Sequence, residues 1–342
     1  MNDTSVLIIY TGGTIGMVHD PETGALLPMD FGAIASQVPE LKRFGFRLHT
    51  IAFDPPVDSS NITPENWVRI AGIIEENYDQ FDGFVVLHGT DTMAYSASAL
   101  SFMLENLGKP VVFTGSQLPI GTLRTDGKEN LITAIEIAAA KDNGNPIVPE
   151  VCIYFESMLF RGNRTHKNSA EQFRAFVSAN YPPLAESGVY IKYNRSAILP
   201  VRPSLGLTVH KNLDTRLAIL KIFPGISDAV VEGILGLPGL RGVVMETFGS
   251  GNAPSNNRFI EMIRSAVERD LIIVNVTQCE TGKVEMDLYE TGAELQKAGV
   301  ISGYDSTTEA AITKLMVLLG KYDDSRIIKK LMQTSLRGEI TP

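Results

Sequence analysis

Two threonine-bearing turns, each preceded by an apolar run, are the segments of this sequence best suited to chemistry. Residues 6–10 lead into the turn T-G-G-T-I-G, which carries Thr14, and residues 84–87 lead into H-G-T-D-T, which carries Thr90. Short apolar runs that end at glycine are typical of buried parallel strands, and the loops after such strands meet at the carboxyl edge of the sheet. We therefore expect both hydroxyls to face one small ligand.

A hydroxyl is a weak nucleophile at neutral pH, so these threonines need a group that takes a proton. Lys167, in the segment R-G-N-R-T-H-K, is a candidate, because burial or a neighbouring cation can lower the pKa of a lysine. Each feature has a structural alternative: the glycine-rich turn could be only a tight turn, Asp91 only a helix cap and Lys167 only a solvated lysine. His88, which follows four apolar residues, is expected to be a buried structural group.

The elements that must position these residues alternate between strand and helix patterns. This alternation predicts an α/β protein of two domains, a larger N-terminal domain with a mainly parallel sheet and flanking helices, and a smaller C-terminal α/β domain. Residues 194–212 contain prolines and little periodicity, which predicts a linker between domains at 1–193 and 213–342. Strands are predicted at 6–10, 46–53, 84–87, 110–113, 151–155, 217–222, 242–245 and 271–276, and helices at 64–78, 93–106, 125–140, 254–269 and 308–319.

The composition is that of an ordinary globular protein of 342 residues, with 44% hydrophobic and 20% charged residues. Its net charge of −9 argues against nucleic acid as a partner, because phosphate binding requires a basic face. No apolar run approaches the ~20 residues of a membrane helix, and no signal-peptide pattern precedes the first strand. These observations predict a cytoplasmic protein with no membrane partner, in which Cys152 and Cys279 are buried reduced thiols.

Seven motifs in one order along the chain together resemble the bacterial-type L-asparaginases, closest to the cytoplasmic type I branch. The motifs are T-G-G-T-I-G at 11–16, D-S-S at 58–60, H-G-T-D-T-M at 88–93, T-G-S-Q at 114–117, R-G-N-R at 161–164, G-S-G-N-A-P at 249–254 and T-T-E-A at 307–310. The two threonine motifs, found together at this spacing, are specific to the family, and the match spans nearly the whole chain.

The resemblance implies hydrolysis of L-asparagine to L-aspartate and ammonia, with no metal and no organic cofactor. It implies that Thr14 is the nucleophile. It also implies that Thr90, Lys167 and Asp91 form a catalytic set, in which Lys167 accepts a proton and Asp91 helps to bind the substrate ammonium group.

The resemblance also implies a set of substrate-binding residues. In the segment of Asp58, Ser59 and Ser60, the serine at 59 corresponds to the residue that binds the α-carboxylate, with backbone N–H groups beside it. Asn252 and Glu309 resemble residues that reach the amino end of the substrate from the second domain of a neighbouring subunit. A homodimer or homotetramer with shared active sites is therefore implied.

Two positions depart from the family pattern. Members usually carry a tyrosine in the loop after the first threonine motif, whereas this loop, expected to be a lid over residues 17–30, has Leu26 at or near that position. Tyr304 is a weak candidate to replace the missing loop tyrosine. Glu246 stands where some cytoplasmic members carry an arginine of an allosteric asparagine site, so we expect that regulation to be absent or altered.

Two other functions remain open at this point. Related chains act as the amidase subunit of a tRNA amidotransferase, but that function would require a nucleic-acid-recognition segment and a basic surface. A non-catalytic amino-acid sensor would bind aspartate without hydrolysing asparagine, and the missing loop tyrosine favours it.

Overall fold

A computed structural model of the protein describes residues 4–19, 26–28, 31–200 and 205–342. The chain divides into two compact units, one ending at Lys211 and the other beginning at Asn212, and each has its own sheet, mainly parallel in the first unit and parallel in the second. The predicted α/β class, with a larger N-terminal and a smaller C-terminal sheet, is confirmed. The segment predicted as a linker, 194–212, includes the short strand Thr208–Val209, which pairs with Leu104–Glu105 in the first unit.

The first unit is built on an eight-stranded sheet with the spatial order β8-β7-β6-β5-β4-β3-β1-β2. Its strands, numbered along the chain, are β1 Ser5–Tyr10, β2 Arg47–Ala52, β3 Gly83–Leu87, β4 Val111–Thr114, β5 Val151–Phe155, β6 Met158–Arg161, β7 Ala185–Ser187 and β8 Ile191–Tyr193. Strands β1 to β5 are parallel, and β6 to β8 extend them in antiparallel fashion. Because β1 and β3 are parallel neighbours, the turns that follow them leave the same sheet edge side by side.

The helices of the first unit cover this sheet and supply much of its core. They are α1 Phe31–Ser36, α2 Pro64–Asn77, α3 Met93–Met103 and α4 Gly127–Ala139. Helix α2 begins as predicted, with Thr63 as its N-cap and Pro64 in its first turn, and Asn66 Oδ1 accepts the backbone N–H of Thr63 at 2.8 Å. Helix α3 is buried on almost every face, as is typical of a helix without a polar stripe.

Shorter elements lie in the loops of the first unit. The 3-10 turns are Thr14–Gly16, Pro39–Arg43, Ser59–Asn61 and Gly162–Arg164, and the small hairpins pair Met17–His19 with Leu26–Pro28, Lys141–Asp142 with Asn145–Pro146, and His166–Lys167 with Phe176–Val177.

The second unit has a four-stranded parallel sheet in the order β9-β10-β11-β12, which comprises Leu217–Lys221, Gly242–Thr247, Ile272–Thr277 and Ile301–Ser302. Its helices are α5 Asp228–Leu235, α6 Asn257–Glu268, α7 Glu290–Lys297, α8 Thr308–Lys321 and α9 Ser325–Met332. The central strands β10 and β11 are almost wholly buried, which their β-branched runs predict. Within the described ranges, every helix of either unit is too short or too polar to cross a bilayer.

Three sequence-based expectations differ from the structure in detail. Helix α3 ends at Met103 rather than at 106, because the next two residues form a strand. Helix α6 begins at Asn257 rather than at 254, because the Asn256 side chain accepts the N–H of Phe259 at 2.9 Å and caps it there. Cys279, which was expected to be buried, is exposed because it lies beyond the end of β11.

Candidate active site

The turns after β1 and β3 touch each other backbone to backbone at two glycines. Gly13 has a φ of 93°, and a Cβ atom added there would lie 2.4 Å from the backbone nitrogen of Gly89. A Cβ atom added at Gly89 would lie 2.4 Å from Ser59 Oγ. Glycine is therefore required at both positions, and their contact brings together the loops that carry Thr14, Ser59 and Thr90.

Backbone hydrogen bonds hold these loops in register with the sheet. The N–H of Thr11 donates to the carbonyl of Leu87 at 3.0 Å, and the N–H of Val57 donates to the carbonyl of Thr11 at 2.7 Å. The N–H of His88 donates to the carbonyl of Thr114 at 2.9 Å. The loops after β1, β2, β3 and β4 are thus joined at the carboxyl edge, where open α/β sheets bind ligands.

A cavity of about 210 Å³ opens at this edge. It is lined by Gly13, Thr14, Met17, Asp58, Ser59, Gly89, Thr90, Asp91, Gln117, Lys167 and Ala170. Six of the residues predicted from the sequence as catalytic or substrate-binding therefore face one space. Its volume lies below the ~300–1,000 Å³ typical of sites for drug-sized ligands, which suits a molecule as small as an amino acid.

Lys167 connects the threonine and the carboxylate of the second motif. Its ammonium donates to Thr90 Oγ1 at 2.8 Å and to Asp91 Oδ1 at 2.6 Å. The lysine side chain is 16% exposed and that of Asp91 is 64% exposed, so the pair lies at the mouth of the cavity rather than in the core. The small hairpin that contains His166–Lys167 carries the ammonium to this position.

The D-S-S segment forms a short 3-10 turn with Asp58 as its cap. Asp58 Oδ1 accepts both the backbone N–H and the hydroxyl of Ser60 at 2.8 Å. Ser59 is buried, and its carbonyl accepts the hydroxyl of Thr92 at 2.7 Å. Asp58 and Ser59 line the cavity, whereas Ser60 is exposed and lies outside the lining set.

His88 is fully buried, as expected, and belongs to a chain of hydrogen bonds behind the cavity. Trp67 Nε1 donates to Ser96 Oγ at 2.8 Å, and Ser96 Oγ is 2.9 Å from His88 Nε2. Because an indole only donates and a carbonyl only accepts, Ser96 donates to Nε2 and Nδ1–H donates to the carbonyl of Gly89 at 2.7 Å. Burial lowers the pKa of His88 to about 4, so the imidazole is neutral and holds the peptide that precedes Thr90.

Gln117 also lines the cavity, although no role was predicted for it from the sequence. Its Oε1 is 3.2 Å from Thr90 Oγ1, and its Nε2 donates to the carbonyl of Gln172 at 3.1 Å. The carboxylate of Asp126 accepts the backbone N–H of Gln117 at 2.9 and 3.1 Å. Its position could have indicated a role in the site, because Gln117 ends the motif T-G-S-Q directly after β4, at the carboxyl edge of the parallel sheet.

The other predicted substrate residues lie in the second unit. Asn252 Oδ1 accepts the hydroxyl of Thr291 at 2.7 Å. Glu309 is buried in the first turn of α8, which Thr307 caps by accepting the N–H of Ala310 at 3.1 Å. The substrate contacts predicted for Asn252 and Glu309 stay predictions.

The two departures from the family pattern also have defined positions. Glu246 is the penultimate residue of β10, and its carboxylate has one oxygen 2.7 Å from Thr308 Oγ1 and the other 3.3 Å from Lys221 Nζ. Tyr304 lies just after β12 in a left-handed conformation, with a φ of 53°. Most of the predicted lid, at 20–25 and 29–30, lies outside the described residues, as does the side chain of Leu26.

Among the described residues that line the cavity, the charged groups are two carboxylates, Asp58 and Asp91, and the ammonium of Lys167. Across residues 4–19, 26–28, 31–200 and 205–342, no group of three or more histidine, cysteine, aspartate or glutamate side chains is arranged to hold a metal ion. The cavity offers hydroxyls that can attack, a lysine that can move a proton and a carboxylate that can bind a cation, a set that suits acyl transfer from a small charged amide.

Comparison with known proteins agrees with this geometry. Residues 5–199 match the family described as Asparaginase, N-terminal, and residues 216–332 match the Glutaminase/Asparaginase C-terminal domain. The chain is 44% identical over 349 residues to L-asparaginase 1 of Escherichia coli (strain K12), covering 100% of this chain and 99% of that protein. It is also 43% identical over 361 residues to the 60 kDa lysophospholipase of Homo sapiens, covering 98% of this chain and 61% of that protein.

A solved structure extends the likeness to three dimensions. The crystal structure of L-asparaginase I from Vibrio cholerae superposes with a TM-score of 0.90 at 43% identity, and the match covers 99% of each chain. The resemblance inferred from the motifs, including that to the type I branch, is thereby confirmed. The chain belongs to the asparaginase family.

Proposed function

We propose that this chain hydrolyses the side-chain amide of L-asparagine to give L-aspartate and ammonia. The observation that carries the proposal is the single small cavity faced by Thr14, Thr90, Lys167 and Asp91. Full-length relatives named L-asparaginase support the choice of substrate.

Each part of zwitterionic asparagine has a partner of the required chemistry in this proposal. Asp91 binds the α-ammonium group through its negative charge. Ser59 and neighbouring backbone N–H groups bind the α-carboxylate. The side-chain amide then lies between Thr14 and Thr90, and Asn252 and Glu309 complete the shell from the second domain of a neighbouring subunit.

The proposed reaction has two steps, with Thr14 as the nucleophile. Thr14 Oγ1 bonds to the amide carbon, the C–N bond breaks, and the hydroxyl proton leaves with the nitrogen as ammonia. Water then attacks the resulting β-aspartyl ester, which releases aspartate and restores the hydroxyl. Thr90, Lys167 and Asp91 relay protons, with Lys167 as acceptor, so that asparagine and water become aspartate and ammonium.

We further propose a homodimer or homotetramer in the cytoplasm. The oligomer follows from the shared substrate shell described above. The compartment is supported by the likeness to the type I branch and by the free thiols of Cys152 and Cys279, since disulfides are rare in reducing compartments.

Ammonia release from asparagine and glutamine, without RNA, tests the proposal. We expect wild-type turnover of asparagine and losses of several orders of magnitude in Thr14→Ala and Thr90→Ala, each with an unchanged unfolding midpoint. Thr50→Ala, on the exposed edge strand β2, is the matched control and should retain wild-type turnover. Binding of aspartate without ammonia release would instead favour a sensor, and a requirement for tRNA would favour an amidotransferase subunit.

A further inference from the structure

The hydrogen bonds around Thr90 determine the direction of its hydroxyl proton. Lys167 Nζ lies 2.8 Å and Gln117 Oε1 lies 3.2 Å from Thr90 Oγ1. An ammonium group has only donors, so Thr90 accepts from Lys167. The single hydroxyl hydrogen of Thr90 is therefore donated to Gln117, away from the lysine.

A separate contact fixes the orientation of the Gln117 amide. Its NH₂ group lies 3.1 Å from the backbone carbonyl of Gln172, which can only accept. A flipped amide would place two acceptors face to face, so Oε1 must face Thr90. The backbone of Gln117 is held in turn by the carboxylate of Asp126.

This arrangement is the reverse of what proton transfer to Lys167 requires. For Lys167 to take the proton of Thr90, the ammonium must first give a proton to solvent and become a neutral amine. The Thr90 hydroxyl must then turn from Gln117 toward Nζ. The bond from the Thr90 hydroxyl to Gln117 Oε1 opposes this turn.

We propose that Gln117 is a positioning residue that holds the Thr90 proton away from Lys167 and thereby sets the pH at which the Thr90–Lys167 pair becomes active. The inference rests on the proposed function, because it concerns the same site.

Three carboxylates of the described residues lie around this pair. Asp91 is bonded to Lys167 at 2.6 Å, Asp58 lines the same cavity, and Asp126 lies behind Gln117. His166, which precedes Lys167 in the chain, is exposed. Gln117 is the uncharged partner of Thr90, so replacing it with another neutral side chain leaves the charge of the site unchanged.

The pH dependence of kcat/KM for asparagine tests the proposal with two variants of opposite expected sign. The methionine of Gln117→Met has a similar length but no strong hydrogen-bond acceptor, so Thr90 is free to donate to neutral Lys167. We expect the acid limb of the pH profile to move down by about one pH unit. A shift of this size corresponds to the free energy of about one hydrogen bond. Gln117→Glu adds a charged acceptor and should move the acid limb up. Gln80→Met, an exposed residue before the amino end of β3, should reproduce the wild-type profile.

A titration of Lys167 by NMR, with its ¹³Cε signal assigned from Lys167→Met, provides a readout that does not depend on turnover. Opposite shifts of the Lys167 titration midpoint in Gln117→Met and Gln117→Glu would support the role of Gln117, even if the protein released no ammonia. A lack of ammonia release would contradict only the proposed function. Unmoved midpoints and an unmoved acid limb in both variants would overturn the role of Gln117 in an otherwise active enzyme.

Discussion

The backbone of Gly13 lies so close to that of Gly89 that a Cβ atom on the first would be 2.4 Å from the nitrogen of the second. Thr14 and Thr90 each follow one of these glycines. The separation of the two hydroxyls is therefore set by contact between main chains, which rearrange less readily than side chains.

The substitution Gly13→Ala should cost both stability and activity. The added methyl group would meet backbone atoms on a residue with a φ of 93°, so the two loops must separate. We expect a loss of at least about 2 kcal/mol in the free energy of unfolding and a large loss of ammonia release. Urea denaturation and the ammonia assay measure the two effects.

Gly144→Ala provides the matched control for this substitution. Gly144 has a similar φ of 82°, but nothing lies within 4 Å of the added Cβ. It should show only the cost of a left-handed alanine, about 1–2 kcal/mol, with normal activity. Equal activity in the two alanine variants would mean that the glycine contact does not align the threonines.

Lys167→Arg separates the charge of the lysine from its ability to accept a proton. Arginine keeps the positive charge beside Asp91 but does not lose its proton at any accessible pH. If Lys167 accepts a proton during catalysis, Lys167→Arg should lower kcat by about 10²–10⁴-fold, as Lys167→Met should. Lys141→Arg, at a comparable ion pair with Asp82, should have no effect on turnover. An active Lys167→Arg enzyme would show that only the charge is needed.

His88 should make the protein less stable in mild acid. Its pKa is about 4 in the folded protein and about 6.5 when unfolded, so the unfolded chain binds the proton more readily between these values. Its contribution to the free energy of unfolding is complete above pH 6.5 and falls, by at most about 3 kcal/mol, as the pH drops to 4.

Urea denaturation at several pH values between 4 and 7 measures this contribution of His88. His88→Gln should be less stable at neutral pH but should show a shallower pH dependence than the wild type. His49→Gln, which removes an exposed histidine of β2, should keep the wild-type slope. Parallel slopes in wild type and His88→Gln would contradict the assignment of a buried neutral imidazole.

In the second unit, the ion pair of Lys314 and Glu339 should make the C-terminal segment important for stability. The two groups are 2.5 Å apart, with side chains 2% and 0% exposed. Glu339→Gln leaves a buried ammonium without its counter-charge and should lower the free energy of unfolding by about 3–5 kcal/mol. Combining it with Lys314→Met should recover part of the loss, because no buried charge then remains.

The exposed pair of Lys297 and Glu294 is the comparison for this prediction. Replacing both with Met and Gln should change stability by no more than about 1 kcal/mol. A similarly small effect for Glu339→Gln, measured by urea denaturation, would show that the buried pair adds little.

The parallel core and the loops that carry the site could be predicted because local signals specify them. Apolar runs such as residues 6–10 and 84–87 are typical of strands covered on both faces, and the glycines after them mark the turns. Strands β6, β7 and β8 were missed, because they have three or four residues each and belong to the antiparallel extension of the sheet.

The site itself could be predicted only in part from the sequence. Lys167 is 77 positions from Thr90, and a hairpin with no strong strand signal brings it there, so the pairing came from the family resemblance rather than from spacing. The orientation of Gln117 depends on a carbonyl 55 positions away. Such contacts between distant loops follow from the folded backbone and have no local signature.

The opposite charges of the cavity also affect which asparagine residues in a cell can be hydrolysed. An asparagine within a polypeptide has neither a free α-ammonium nor a free α-carboxylate, so it lacks both of the charges that the proposed binding mode uses. An enzyme with this cavity can thus consume the free amino acid while leaving finished proteins safe from deamidation.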